Sequence, residues 1–185
     1  MNITELMAFG KIETFNLRDI IVKEGDEGDT AYIILQGRVA VLLGSDEDIP
    51  YPVNELSQYE CFGEMALVDD KVRSATVVAL EDETITLEIN QSNFYDLISQ
   101  KLEIGYKIIE GLIRRIQAAV VQIPELKDEI TKNYSLDFYY RFIENYTEIS
   151  FLALVEFNKD KIIEIARDLS GVMRVINNKL KELRT

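Results

Sequence analysis

Up to about residue 89 the chain is a succession of short runs rich in β-branched residues, each cut off by glycine and acidic residues. Ile20-Ile21-Val22, Ala31-Tyr32-Ile33-Ile34-Leu35, Arg38-Val39-Ala40-Val41-Leu42-Leu43 and Ala75-Thr76-Val77-Val78-Ala79 have the length and composition of strands. Thr84-Ile85-Thr86-Leu87-Glu88-Ile89 alternates cleanly, with its apolar residues at 85, 87 and 89. Turn chemistry separates these runs at Glu24-Gly25-Asp26-Glu27-Gly28-Asp29, at Gly37 and at Gly44-Ser45-Asp46-Glu47-Asp48. Many short strands at regular spacing predict a sandwich or a barrel.

After Asn90-Gln91 the period changes. Residues 92–98 predict a short helix capped by Asn90 or Ser92. A longer one is expected over about 101–123, ended by Pro124. Along it Ile109, Leu112, Ile116, Ala119 and Ile123 step by three and four, the spacing of a coiled-coil seam. Ile104, Ile108 and Leu112 form a neighbouring stripe. Two readings stay open: one stripe faces a second copy of the chain, or both make one wide face for its own core.

Composition removes several functions. The chain of 185 residues contains no histidine and one cysteine, Cys61. A Ser-His-Asp triad, a Cys-His pair and a histidine-ligated metal are therefore impossible within it, and no metal site is expected. No catalytic constellation stands out, so the chain is not expected to be an enzyme. The lone cysteine suits a reducing compartment. The first residues, Met1-Asn2-Ile3-Thr4-Glu5, have neither basic nor apolar signal character, and no run is long enough to cross a bilayer. A cytoplasmic protein is the expectation. Residues 1–123 hold 10 basic and 22 acidic residues, whereas 124–185 hold 10 and 11. So acidic a first part argues against contact with nucleic acid or an anionic membrane there.

One segment speaks of chemistry. In Phe62-Gly63-Glu64-Met65-Ala66-Leu67, followed by Arg73-Ser74-Ala75-Thr76, a carboxylate and a guanidinium stand nine residues apart. A short helix opening at Gly63-Glu64 would direct free N–H groups toward an anion. Arg73 could close on the same anion, and Glu64 suits a hydroxyl donor. Phosphate beside hydroxyl describes a ribose phosphate.

At these residues the sequence resembles the cyclic nucleotide-binding domain family, whose phosphate-binding cassette reads Phe-Gly-Glu-x-Ala-Leu, a short loop, then Arg-x-Ala-Thr. The resemblance covers roughly residues 6–123 and includes Gly25–Asp29 and Tyr32–Val39. It implies a mainly β fold with helices: a jelly-roll β-barrel in residues 1–123 with a hinge helix over about 101–123. A small all-helical module, 124–185, follows.

As implied by the family, the ligand is a cyclic nucleotide, cAMP favoured over cGMP, with no further cofactor. Phe62, Gly63, Glu64, Met65, Ala66, Arg73, Ser74 and Ala75 form its site. Glu64 would accept from the ribose 2′-hydroxyl and Arg73 would pair with the phosphate. Ser74 would offer its hydroxyl to the phosphate or to a guanine amino group. The hinge helix would turn Ala119 and Val120 to the base, where catabolite-activator-type proteins carry hydroxyl residues. It would also pair two chains through Ile109, Leu112, Ile116 and Ile123. Two further departures are Tyr59, where members usually have a turn glycine, and Val72, where proline is common before the arginine.

The implied function is a sensor whose hinge helix passes ligand binding to the tail or to a protein partner. Alternatives are a ligand-gated helix-turn-helix regulator and a ligand-free dimerisation barrel. For the first, residues 164–180 faintly resemble a helix-turn-helix with its turn at Gly171. Only Arg174, Asn177, Asn178 and Lys179 could meet DNA there, which favours an oligomerisation or docking tail with apolar runs at 136–143 and 149–155.

Overall fold

The computed structural model describes residues 3–44, 50–69, 71–122 and 159–183. It divides into two compact units, Met1–Gln100 and Lys101–Thr185. Among the described residues the first carries eight strands: β1 Lys11–Phe15, β2 Ile20–Val22, β3 Thr30–Gln36, β4 Val39–Leu43, β5 Tyr51–Leu56, β6 Cys61–Phe62, β7 Thr76–Ala79 and β8 Thr84–Asn90. They form two antiparallel four-stranded sheets, ordered β1-β8-β3-β6 and β2-β7-β4-β5, as in a jelly roll. Non-consecutive neighbours, such as β8 between β1 and β3, show that the chain crosses repeatedly from one sheet to the other.

The core lies between the sheets. From β3 and β6 come Tyr32, Ile34 and Phe62; from the facing sheet come Val22, Val39, Leu56 and Val77. Alternation along β3 and β8 sends Ala31, Ile33, Leu87 and Ile89 to the other face. All four are at most 2% exposed, because α3, Gln91–Gln100, packs over β3 and β8. Its start is held by Asn90, whose Oδ1 accepts from the Asn93 amide at 2.9 Å. A short N-terminal helix, α1 Ile3–Leu6, leads into a 3-10 turn at Met7–Phe9 that packs against α3.

Five of the strands lie where the alternation and β-branched runs predict them. β1, β5 and β6 were not legible as strands. β1 is mostly exposed and charged at every second residue, β5 contains Pro52, and β6 has two residues. Pro52 is tolerable because β5 is an edge strand.

The second unit contains α4, Leu102–Gln122, and α5, Lys159–Glu182, which pack together. Ile109, Leu112 and Ile116 are at most 1% exposed within the single chain, as are Ile162 and Leu169 on α5. The seam on α4 therefore already forms part of this chain's own core. Ile123 and the apolar runs at 136–143 and 149–155 lie outside the described residues.

The expected turn at Gly171 is corrected by the structure: α5 runs unbroken through it. Ser170 returns its hydroxyl to the carbonyl of Ala166 at 2.8 Å, an in-helix bond that needs no turn. Apolar residues at 162, 165, 169, 172 and 176 keep one face buried across that point, and this continuous stripe outweighs the single glycine.

Candidate functional site

Gly63 stands at φ 76°, a left-handed conformation that a side chain would strain, and delivers the chain from β6 into α2, Glu64–Asp69. A Cβ on it would lie 2.7 Å from Nη1 of Arg73. Helix α2 packs against β3 and buries Glu64, Met65, Ala66, Leu67 and Val68. Glu64 is wholly buried, at 0% exposure.

Arg73 returns to this helix from just before β7. Two main-chain bonds fix its backbone to the turn between β2 and β3. Its amide donates to the carbonyl of Asp26 at 2.8 Å, and its own carbonyl accepts from Gly25 at 3.0 Å. Its side chain is 6% exposed. Nη1 donates to the carbonyls of Thr30 (2.6 Å) and Gly63 (2.9 Å), and Nη2 to the hydroxyl of Thr30 (2.9 Å). Its Cζ lies 5.9 Å from the ring centre of Tyr32, which is stacked on Phe62 with centroids 5.0 Å apart. That is within cation–π range.

Burial lowers the pKa of Arg73 from its ordinary value, opposed by Tyr32, Asp29, Glu64 and Glu88 around it. Burial likewise raises Tyr32, opposed by its hydrogen bond with Thr30. Arg73 stays charged at any ordinary pH. Its three hydrogen bonds all end on neutral oxygens.

The structure thus brings Phe62, Gly63, Glu64, Met65, Ala66, Arg73, Ser74 and Ala75 into one cassette. Ser74 directs its hydroxyl to the Met65 thioether at 3.6 Å, and Ala75 is buried. Ala119 is buried on α4 in the second unit, and the side chain of Val120 lies outside the described ones. Sequence reasoning missed Thr30, which lies 43 positions from Arg73, and the part played by Gly28, where a Cβ would meet Ala66 and Arg73. Both follow Gly25-Asp26-Glu27, the turn cluster that was the available signal. An open cavity of about 330 Å³, lined by Gly10, Lys11, Glu88, Asn90 and Asn93 among others, includes Thr30 but none of the eight cassette residues named above.

Residues 12–101, just under half of the chain, match the family model for the cyclic nucleotide-binding domain. Among curated relatives, cGMP-dependent protein kinase 2 of Homo sapiens is 31% identical over 115 residues, 62% of this chain and 15% of that protein. A cAMP-dependent protein kinase regulatory subunit of Dictyostelium discoideum is 36% identical over 88 residues, 45% of this chain and 27% of that one. The chain thus spans well under half the length of either relative. Among solved structures, the catabolite activator protein of Thermus thermophilus shares the fold. Its TM-score is 0.57 at 21% identity, over 91% of this chain and 82% of that one.

Proposed function

We propose that the cassette binds a cyclic nucleotide, cAMP in preference to cGMP, and that the chain acts as a sensor rather than an enzyme. One observation carries the reading: Arg73 is a buried cation whose hydrogen bonds all end on neutral oxygens. Carboxylates surround it, but among the described residues none bonds the guanidinium directly. A buried cation gains from a direct anionic partner, and a phosphate would supply one. In this reading Arg73 meets the phosphate, Glu64 accepts from the ribose 2′-hydroxyl, and Gly63 lets the backbone approach the sugar. Met65 and Ala66 pack beneath, Phe62 supports the aromatic floor, and Ser74 and Ala75 border the phosphate or base.

In this reading α4 passes ligand binding on, with the tail or a protein partner as receiver. Closure requires that the nucleotide bind one state better than the other. A homodimer through Ile109, Leu112, Ile116 and Ile123 would require a rearrangement that uncovers the first three, so the unliganded chain is expected to keep them to itself. No helix among the described residues is long and apolar enough to cross a membrane.

Thermal unfolding tests the assignment. At a hundredfold excess over Kd, cAMP should add about 2.7 kcal/mol to stability, a rise of several degrees in Tm. The linear nucleotide 5′-AMP should add far less. Equal and null responses to cAMP, cGMP and 5′-AMP would reject the reading.

A further inference from the structure

The guanidinium of Arg73 has five N–H donors in one plane. Nη1 has an acceptor for each of its two hydrogens, the carbonyls of Thr30 and Gly63, and Nη2 gives one hydrogen to the Thr30 hydroxyl. Thr30 therefore takes the end of the fork with both of its oxygens, at 2.6 and 2.9 Å. Two donors remain among the described residues: Nε–H and the second hydrogen of Nη2. Nη2 lies on the same side of the group as Nε–H, so these two run parallel. They form the edge that grips two oxygens at once.

We propose that Thr30 is a positioning residue: by holding the end of the Arg73 fork it turns the side edge toward the ligand's two non-bridging phosphate oxygens. This rests on the cyclic-nucleotide reading of the cassette and adds what sets the angle of the arginine. Thr30 is itself oriented. Its hydroxyl has a single proton, directed at the Tyr32 hydroxyl at 3.3 Å, which leaves a lone pair for Nη2. Tyr32 is in turn pinned by its stack on Phe62, at an interplanar angle of 10°. Beside the open edge stands Gly28, where a Cβ would come within 2.8 Å of Nε. Thr30, Tyr32 and Phe62 thus fix the arginine from one side, and on the other Gly28 carries no side chain that would crowd Nε.

Valine has the shape of threonine and suits a strand, but offers no oxygen to Nη2. Thr30→Val therefore leaves the carbonyl contact and frees one donor, so the fork can rotate. The test uses the full chain with Thr30→Val, Thr30→Ala and Thr30→Ser. Each is titrated with cAMP and with its two phosphorothioate diastereomers, in which sulfur replaces one or the other non-bridging oxygen. The parent, presenting a fixed edge, should bind the two diastereomers unequally. Thr30→Val should lose about tenfold in cAMP affinity, and its diastereomer ratio should fall toward one. Thr30→Ser should restore both. Thermal unfolding identifies any variant that fails to fold, and Thr30→Ala carries the same prediction if valine does. A parent that binds and discriminates, with valine and alanine variants that do both equally well, would overturn the positioning role alone. A parent that binds no cyclic nucleotide would overturn the ligand assignment, and this role with it.

Discussion

Gly28 lies so close to Arg73 that a methyl group on its α-carbon would stand 2.8 Å from Nε and 3.0 Å from Cδ. The same methyl would come 2.5 Å from the Cβ of Ala66, which is part of α2 and cannot swing aside. Gly28→Ala should therefore displace the arginine, the helix or both. Overpacking of this kind costs about 1–3 kcal/mol of stability. Cyclic nucleotide affinity should fall by more than about tenfold, since Arg73 is moved from its acceptors. Chemical denaturation and a binding titration on the same preparation read the two effects. Unchanged affinity would mean that Arg73 does not bear on the ligand.

Tyr59 departs from the turn glycine usual in the family, and the structure shows the consequence. It stands at φ 71°, while its amide donates to the carbonyl of Ile34 at 2.7 Å. A left-handed conformation costs a side-chain-bearing residue about 1–2 kcal/mol. Glycine avoids that strain but brings about 0.5–1 kcal/mol of extra chain entropy to the unfolded state. The ring is 39% exposed, so little burial is lost. Tyr59→Gly should thus gain about 0.5 kcal/mol, and Tyr59→Ala, which keeps the strain, should gain nothing. The ordering of the two melting temperatures is the check.

Gly171 sits inside α5, and a Cβ there would meet nothing within 4 Å. Alanine at such a position should stabilise by about 1 kcal/mol through helix propensity. If residues 164–180 instead formed two helices about a turn, the same substitution would be neutral or harmful. Urea unfolding of Gly171→Ala separates the cases by sign.

How far the sequence revealed all this can be followed residue by residue. β2, β3, β4, β7 and β8 advertise themselves because β-branched and other apolar residues crowd their runs. β1 could not do so, since Ile12 is 39% exposed and its neighbours are charged. In the cassette, Glu64 and Arg73 were legible because a nine-residue spacing is local. The bond from Arg73 to Thr30 joins positions far apart in the chain, on or beside strands of opposite sheets, and only the folding of one sheet over the other brings them together. The apolar seam on α4 was legible as a stripe, but spacing alone says that it is buried, not what covers it. At Gly171 the propensity of one residue suggested a break that the buried face of a 24-residue helix overrides.

The central claim is that Arg73 and its cassette bind a cyclic nucleotide. Calorimetric titration of the nucleotide-free chain with cAMP and cGMP, repeated on Arg73→Ala, tests it most directly. The account predicts micromolar or tighter binding by the parent, tightest with cAMP. It predicts a loss of about 3 kcal/mol in the variant, near a hundredfold or more. Glu64→Ala should lose less, having removed a hydrogen bond rather than the counter-charge. Binding that survives Arg73→Ala undiminished, or a parent that binds neither nucleotide, would contradict it.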